Sequence, residues 1–130
     1  MKDAIVGVIL DGARFVAIRR GPAVVYSGYW APPSGRVEPG ETQPEAVARE
    51  MVEEIGLDVR PIAKVWECPT EDGNYTLHWW TARPNGAGAL VPEPAEVSEA
   101  RWVTGPEFLA LEPSFEADRE FVRTILPNLV

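Results

Sequence analysis

Apolar and polar positions follow two kinds of pattern along the chain, and the changes between them predict its elements. Ala4 to Leu10 and Phe15 to Ile18 are apolar runs on either side of Asp11-Gly12, and Asp-Gly between two such runs predicts a β-hairpin. Gly21 to Gly28 reads as a loop, followed by a short extended piece from Tyr29 to Pro33. Thr42-Gln43-Pro44-Glu45 starts a helix: Thr42 caps it, Pro44 fits its first turn and Glu45 completes a capping box. The helix runs to about Ile55 and stops at Gly56. Ala48, Met51, Val52 and Ile55 fall within about 100° of one another on a helical wheel, which predicts a buried face. Val59 to Trp66 and Tyr75 to Thr81 read as strands around a turn at Glu71-Asp72-Gly73-Asn74, and Arg101-Trp102-Val103 as another short strand. A short helix from Pro106 to Leu111 and a last one from Phe115 to Ile125, capped by Ser114, complete the chain. This order of strands and helices predicts an α/β fold, a mixed β-sheet with helices packed on it.

The opposite face of the first helix carries the candidate chemistry. With Glu50 at the origin of the wheel, Glu54 lies near 40° and Glu53 near about −60°. The three carboxylates are expected on one exposed face, with Arg49 beside them. Like charges at i,i+4 destabilise a helix by a few tenths of a kcal/mol, and a hard divalent cation that takes oxygen ligands would reverse that sign. A Glu-rich helix face is more often merely solvated, so the residues around it decide. Gly35 to Glu41 has the glycine spacing of a phosphate loop, but Glu41 stands where that motif needs lysine, and a carboxylate there would repel phosphate.

Taken whole, Gly35 to Leu57 resembles the Nudix box, G-x5-E-x7-R-E-U-x-E-E-x-G-U with U bulky and apolar. Gly35, Glu41, Arg49, Glu50, Met51, Glu53, Glu54, Gly56 and Leu57 fill every specified position. A chance match in a chain of this length is on the order of one in a million at average residue usage, which makes the motif highly specific. The element order fits the family's α/β/α sandwich, and Glu99 to Val103 followed by a short helix resembles its usual ending.

The resemblance implies a hydrolase that cleaves the diphosphate of a nucleoside diphosphate linked to another group. It implies Glu50 and Glu54 as metal ligands, for Mg2+ or in some members Mn2+, and Glu53 as a third ligand or the base that deprotonates water. In some members the base is a carboxylate on a later loop, where Glu96 and Glu99 stand. Arg49 is expected to orient the glutamates, pairing with Glu41. Ser34 stands where many members have glycine and still offers the carbonyl that often binds metal.

The chain has 130 residues, which suits one domain spanning 1–130. Twenty Asp and Glu against twelve Lys and Arg give a net charge of −8, which argues against binding a nucleic-acid backbone. A small anionic substrate is compatible with acidic side chains if a metal stands between them. One cysteine, Cys68, excludes an internal disulfide framework and a multi-cysteine zinc site. The N-terminal residues lack a signal-peptide core, and no apolar run approaches the ~20 residues that span a bilayer. The expectation is a soluble, cytoplasmic domain with no membrane partner.

For substrate contact the candidates are Tyr26 and Tyr29 before the box, Arg36 within it, and Trp79 among the aromatics able to stack a base. Trp30, Trp66 and Trp80 belong to the same aromatic set. Arg19 and Arg20 end a strand near that loop, with a surface position as the default and contact of one of them with a phosphate as the alternative; His78 sits in an apolar strand as a packed histidine, and Cys68 is expected to be inert. Tyr75 stands near where diadenosine-polyphosphate hydrolases of the family often have tyrosine, but it also fits an ordinary strand start. No marker outside the box selects a substrate. Homodimers are common in the family, and the sequence does not decide this chain's oligomeric state. The alternative is a non-catalytic, Nudix-like binding module for a nucleotide metabolite, but such domains usually lose box glutamates, and here all are present.

Overall fold

The structure, a computed structural model, describes residues 2–130. Strands β1 (Lys2–Asp11) and β2 (Arg14–Arg20) form the expected hairpin. They stay in register only at Leu10↔Phe15 and Asp11↔Arg14. Beyond those pairs they separate. β1 continues antiparallel to β4 (Ser34–Arg36) and parallel to β6 (Tyr75–Pro84), whereas β2 continues against β3 (Trp30–Ala31) and β7 (Val97–Thr104). β5 (Val59–Pro69) pairs with β6 at the edge. The result is one seven-stranded mixed sheet in the order β3-β2-β1-β6-β5, with β4 on β1 and β7 on β2. Its two halves meet at the hairpin and leave a cleft between the diverging parts of β1 and β2.

Both faces of the sheet are covered, as the patterning of β1 and β2 requires. Ile5, Ile9, Val16 and Ile18 point to a core completed by Ala46, Val47, Met51 and Ile55 of α1 (Gln43–Ile55). The alternate residues Val6, Val8, Phe15 and Ala17 point to a second core. That core is closed by Phe108 of α2 (Gly105–Leu109), Phe121 and Val122 of α3 (Glu116–Thr124), and Leu126 of a terminal 3-10 turn (Leu126–Asn128). This is the α/β/α sandwich expected from the sequence. No helix among the described residues is long and apolar enough to cross a membrane.

Helix α1 starts as its sequence dictates. The Thr42 hydroxyl accepts from the Glu45 amide at 3.2 Å, and the Glu45 carboxylate accepts from the Thr42 amide at 2.9 Å. It ends at Gly56, whose φ of 62° lies in the left-handed region that favours glycine.

Four expectations are corrected. The buried face of α1 is Ala46, Val47, Met51, Glu54 and Ile55; Val52 is 53% exposed and Ala48 half-buried. The buried arc is therefore turned by roughly 100° toward the carboxylates, at about 100° per residue, because α1 packs over the cleft. The three glutamates do not share an exposed face: Glu54 is buried, Glu50 half-buried and Glu53 exposed. Ser114 does not cap the last helix; Phe115 is the N-cap residue and makes no side-chain cap bond, while the Ser114 hydroxyl accepts from Arg119 at 3.3 Å. Trp79 is not at the surface: it is fully buried, stacks on Phe121 at 4.3 Å and donates to Cys68 Sγ at 3.4 Å.

Candidate active site

The Nudix-like segment runs from β4 through a turn into α1, and Arg49 ties the two together. Its Nε and Nη2 bond both oxygens of Glu41 at 2.7 and 2.9 Å, a bidentate fork. Nη2 also reaches the Arg36 carbonyl at 2.9 Å, which fixes α1 against β4. Nη1 bonds Glu50 at 2.9 Å and Glu53 at 3.0 Å. The fork holds the Glu41 carboxyl below its ordinary range and raises the Arg49 guanidinium above its own. Gly35 is required where β4 passes under α1, since a Cβ there would run into the Glu50 carboxylate. The pairing of Arg49 with Glu41 is the one anticipated from the sequence.

Glu54 lies beside Glu50 but outside the Arg49 fork. It is 6% exposed, and its Oε2 has no hydrogen-bond partner. Burial, then the nearby charges of Glu50 and Glu96, push its carboxyl up to about 9. Burial also raises Glu50, opposed by Arg49. One turn of α1 thus presents a held carboxylate and an orphaned one to the cleft.

The cleft is a cavity of about 700 Å³, within the usual range of small-molecule sites. Glu50, Glu54, Ser34, Gly35 and Arg36 line it from the box side, as does Glu96 from the turn before β7. Glu99, the other late-loop carboxylate, lies on β7 opposite Arg19, pairs with Arg101 and does not line the cavity. Glu53 does not line it either; its side chain is 57% exposed.

Of the aromatic candidates, Tyr26 lines the cavity, in the loop between β2 and β3 and with a φ of 56°, an uncommon backbone state for a non-glycine residue. Tyr29 stands behind it, 5.3 Å away ring to ring, and both contact Phe115. Trp66 packs on Trp79 and Phe121, Trp80 donates to Gln43 at 2.9 Å, and buried Trp30 carries Arg101 over its ring. Tyr75 reaches the cavity. His78 is packed as expected, with Nε2 2.8 Å from Asp3 Oδ1. Burial raises the Cys68 thiol above its ordinary range, in keeping with an inert cysteine.

Sequence reasoning did not single out Phe115 and Asp118, and its default for Arg20 was a surface position. Arg20, expected at the surface, turns inward with its Nε bonded to the Val25 carbonyl at 2.8 Å; burial lowers its guanidinium, against the charges of Glu54, Asp118 and Glu96. Phe115, the N-cap residue of α3, and Asp118, in its first turn, reach the cavity. Asp118 had a signal in the sequence. Phe121 and Val122, three and four residues on, are apolar, so this carboxylate belongs to the buried stripe of its helix.

The donor set fits a hard divalent cation. It offers two carboxylates one helical turn apart, one with a buried oxygen that lacks any partner, and a glycine that leaves room for the other. Among the described residues no three acidic, histidine or cysteine side chains gather into a ready-made metal cluster.

Comparison with known proteins agrees with the geometry. The NUDIX domain family model matches residues 1–125. The NAD-capped RNA hydrolase NudC of Deinococcus radiodurans is 38% identical over 96 residues, covering 74% of this chain and 34% of that protein. The RNA pyrophosphohydrolase of Erythrobacter litoralis is 32% identical over 120 residues, covering 76% of this chain and 72% of that one. The chain spans about a third of the length of the NudC relatives it matches. A crystal structure of a NUDIX hydrolase from Nitrosomonas europaea shares the fold, with a TM-score of 0.84 at 19% identity over 98% of this chain and 70% of that one. Family match, relatives and fold agree that the chain belongs to the NUDIX domain family.

Proposed function

We propose that the chain is a metal-dependent pyrophosphohydrolase that cleaves the diphosphate linkage of a nucleoside diphosphate derivative. The observation that carries this reading is Glu54, a buried carboxylate with an unpartnered oxygen beside Glu50 in a substrate-sized cavity. Mg2+ or Mn2+ held by Glu50 and Glu54, with Glu53 and the Ser34 carbonyl as further donors, would neutralise diphosphate charge and acidify water. Arg49 fixes the aim of Glu50 and Glu53, so little reorganisation is needed when substrate arrives. The water oxygen bonds to phosphorus as the anhydride P–O bond breaks, and a carboxylate takes the proton released. Glu96, on the cavity, and Glu53, exposed on the same helix as Glu50 and Glu54, are the candidate bases. Arg20 and Arg36 are the cavity cations available to phosphate oxygens, and Tyr26, backed by Tyr29, is the aromatic wall for a base.

The relatives named above act on NAD-capped RNA and on RNA. The net charge of −8 limits our reading to a small nucleotide, with no extended nucleic-acid contact. The same reading takes residues 1–130 as one catalytic domain in a cytoplasmic setting. The test is product release with Mg2+ from nucleoside triphosphates, ADP-ribose, nucleotide sugars, dinucleoside polyphosphates and NADH, with Glu53→Gln and Glu54→Gln as controls. Turnover of one class, lowered by about three orders of magnitude in Glu54→Gln, is the expected outcome. Tight nucleotide binding with no turnover in any class would favour a metabolite-binding module instead.

A further inference from the structure

The turn before β7 carries Glu96 to the cavity, and the sequence Pro92-Glu93-Pro94-Ala95-Glu96 builds it. Pro94 stands second in the turn, where its fixed φ is favoured. The Glu93 carbonyl accepts from the Glu96 amide at 3.2 Å and from the Val97 amide at 2.8 Å. The Glu93 side chain then closes the turn on itself. Its Oε2 accepts from the Ala95 amide at 3.1 Å and from the Glu96 amide at 3.0 Å. An ionised acceptor makes such bonds stronger than a neutral one.

Two other elements grip the same turn. The Glu93 amide donates to the Glu54 carbonyl at 2.8 Å, which ties the turn to the end of α1. From the loop between β2 and β3, the Gly21 amide donates to the Glu96 carbonyl at 2.8 Å and the Ala23 amide to the Ala95 carbonyl at 3.0 Å. Gly21 is required there, since a Cβ would stand 2.6 Å from the Ala95 carbonyl oxygen. The Glu96 residue is exposed, and among the described residues no hydrogen bond or ion pair holds its carboxylate. The backbone of the turn therefore decides where that carboxylate stands, and from there its charge acts on both Glu50 and Glu54. Glu53, the other candidate base, is bonded to Arg49 and does not line the cavity.

We propose that Glu93 is a positioning residue: by holding the Ala95 and Glu96 amides it keeps the Glu96 carboxylate at the cavity, where Glu96 takes the proton of the attacking water. The proposal rests on the hydrolase reading and deepens it by naming what holds the base. The water oxygen bonds to phosphorus, its proton passes to Glu96, and the anhydride oxygen leaves with the electron pair of the broken bond. Glu93 itself touches neither substrate nor water.

The test is steady-state turnover, with Mg2+, of the substrate class active in the panel above. The proteins are the wild type, Glu93→Ala, Glu93→Gln, Glu96→Gln and the double variant of Glu93→Ala with Glu96→Gln. Glu96→Gln should lower kcat by about 100-fold or more, the contribution of a general base. Glu93→Ala should lower kcat by at least about ten-fold and leave KM within about two-fold, because a small misplacement of a reacting group slows the chemical step. Glu93→Gln keeps an acceptor oxygen for the two amides and should bring kcat back to within about three-fold of the wild type. Added to Glu96→Gln, Glu93→Ala should cost less than about two-fold more, since a residue that acts through another loses its effect once the other is gone. A merely structural role would cost the same in both backgrounds. Gly21→Ala pushes on the turn from its other side and should also lower kcat, so it supplies the comparison if Glu93→Ala does not fold. Full turnover in Glu96→Gln, unchanged kcat in Glu93→Ala, no recovery in Glu93→Gln, or equal costs in the two backgrounds would overturn the role of Glu93 and leave the hydrolase standing. No turnover of any class by the wild type would overturn the hydrolase reading and this role with it.

Discussion

Carboxylates gathered around Arg49 and carboxylates buried at the cavity live under opposite rules. Around Arg49, Glu41, Glu50 and Glu53 each have a guanidinium partner at 2.7–3.0 Å. Glu54 and Asp118 are the more deeply buried acids, and neither has an ion-pair partner among the described residues. The paired acids hold geometry: they fix α1 to the box turn and set the direction of Glu50. Glu54, with a buried oxygen that lacks a partner, stores an unmet demand, and burial raises both Glu54 and Asp118 well above the ordinary carboxylate range. A satisfied buried charge serves as scaffold, whereas an unsatisfied one beside a cavity is a place for a ligand.

The contrast can be broken from the scaffold side. Arg49→Ala removes four hydrogen bonds to three carboxylates and one to a carbonyl. Turnover should fall by about 100-fold, as for loss of a residue that orients metal ligands, and thermal unfolding should move down by several degrees. Arg49→Lys should recover part of the stability and little of the turnover, because lysine cannot reproduce the fork on Glu41. Gly35→Ala should weaken Mg2+ binding by about ten-fold, since the new methyl displaces the Glu50 carboxylate while leaving Glu54 untouched; calorimetric titration with Mg2+ checks it. The smallest effect belongs to the solvent side of α1. Val52→Ala should change stability by less than about 0.5 kcal/mol, against about 2–5 kcal/mol for Met51→Ala, and chemical denaturation of the two variants tests the orientation of the helix directly.

Much of the box side was legible in the sequence, because its residues lie close together and their spacing converts directly to geometry. The capping box, the end at Gly56 and the pairing of Arg49 with Glu41 all followed from local offsets. What was not legible depended on how elements meet. The buried arc of α1 turned toward Glu54 because the helix packs over a cleft, and that cleft exists because β1 and β2 part after two registered pairs. Trp79 and Trp80 are neighbours in sequence, yet one stacks in the core on Phe121 and the other bonds Gln43; only the packing of α3 decides which. Asp118 reaches a cavity whose other acids stand on α1, on the turn between β5 and β6 and on the turn before β7, a juxtaposition that no local pattern encodes.

The central claim is that the unpartnered carboxylate of Glu54 awaits a cation, and pH and Mg2+ test it together. Glu54 rises from an ordinary 4.5 to about 9 in the folded chain. Between those values the folded state keeps a proton that the unfolded state releases, so stability falls as pH rises, by at most about 1.4 kcal/mol per pH unit. Asp118, raised from 3.8 to about 7, adds the same sign over a lower window, and comparison of the wild type with Glu54→Gln cancels its part. The measurement is the thermal unfolding midpoint of both proteins at pH 6 and pH 8, without metal and with Mg2+. The account predicts that, without metal, the wild type loses more stability than the variant on going to pH 8, and that Mg2+ restores the wild type alone. Equal pH dependence in the two proteins, together with equal stabilisation by Mg2+, would contradict it.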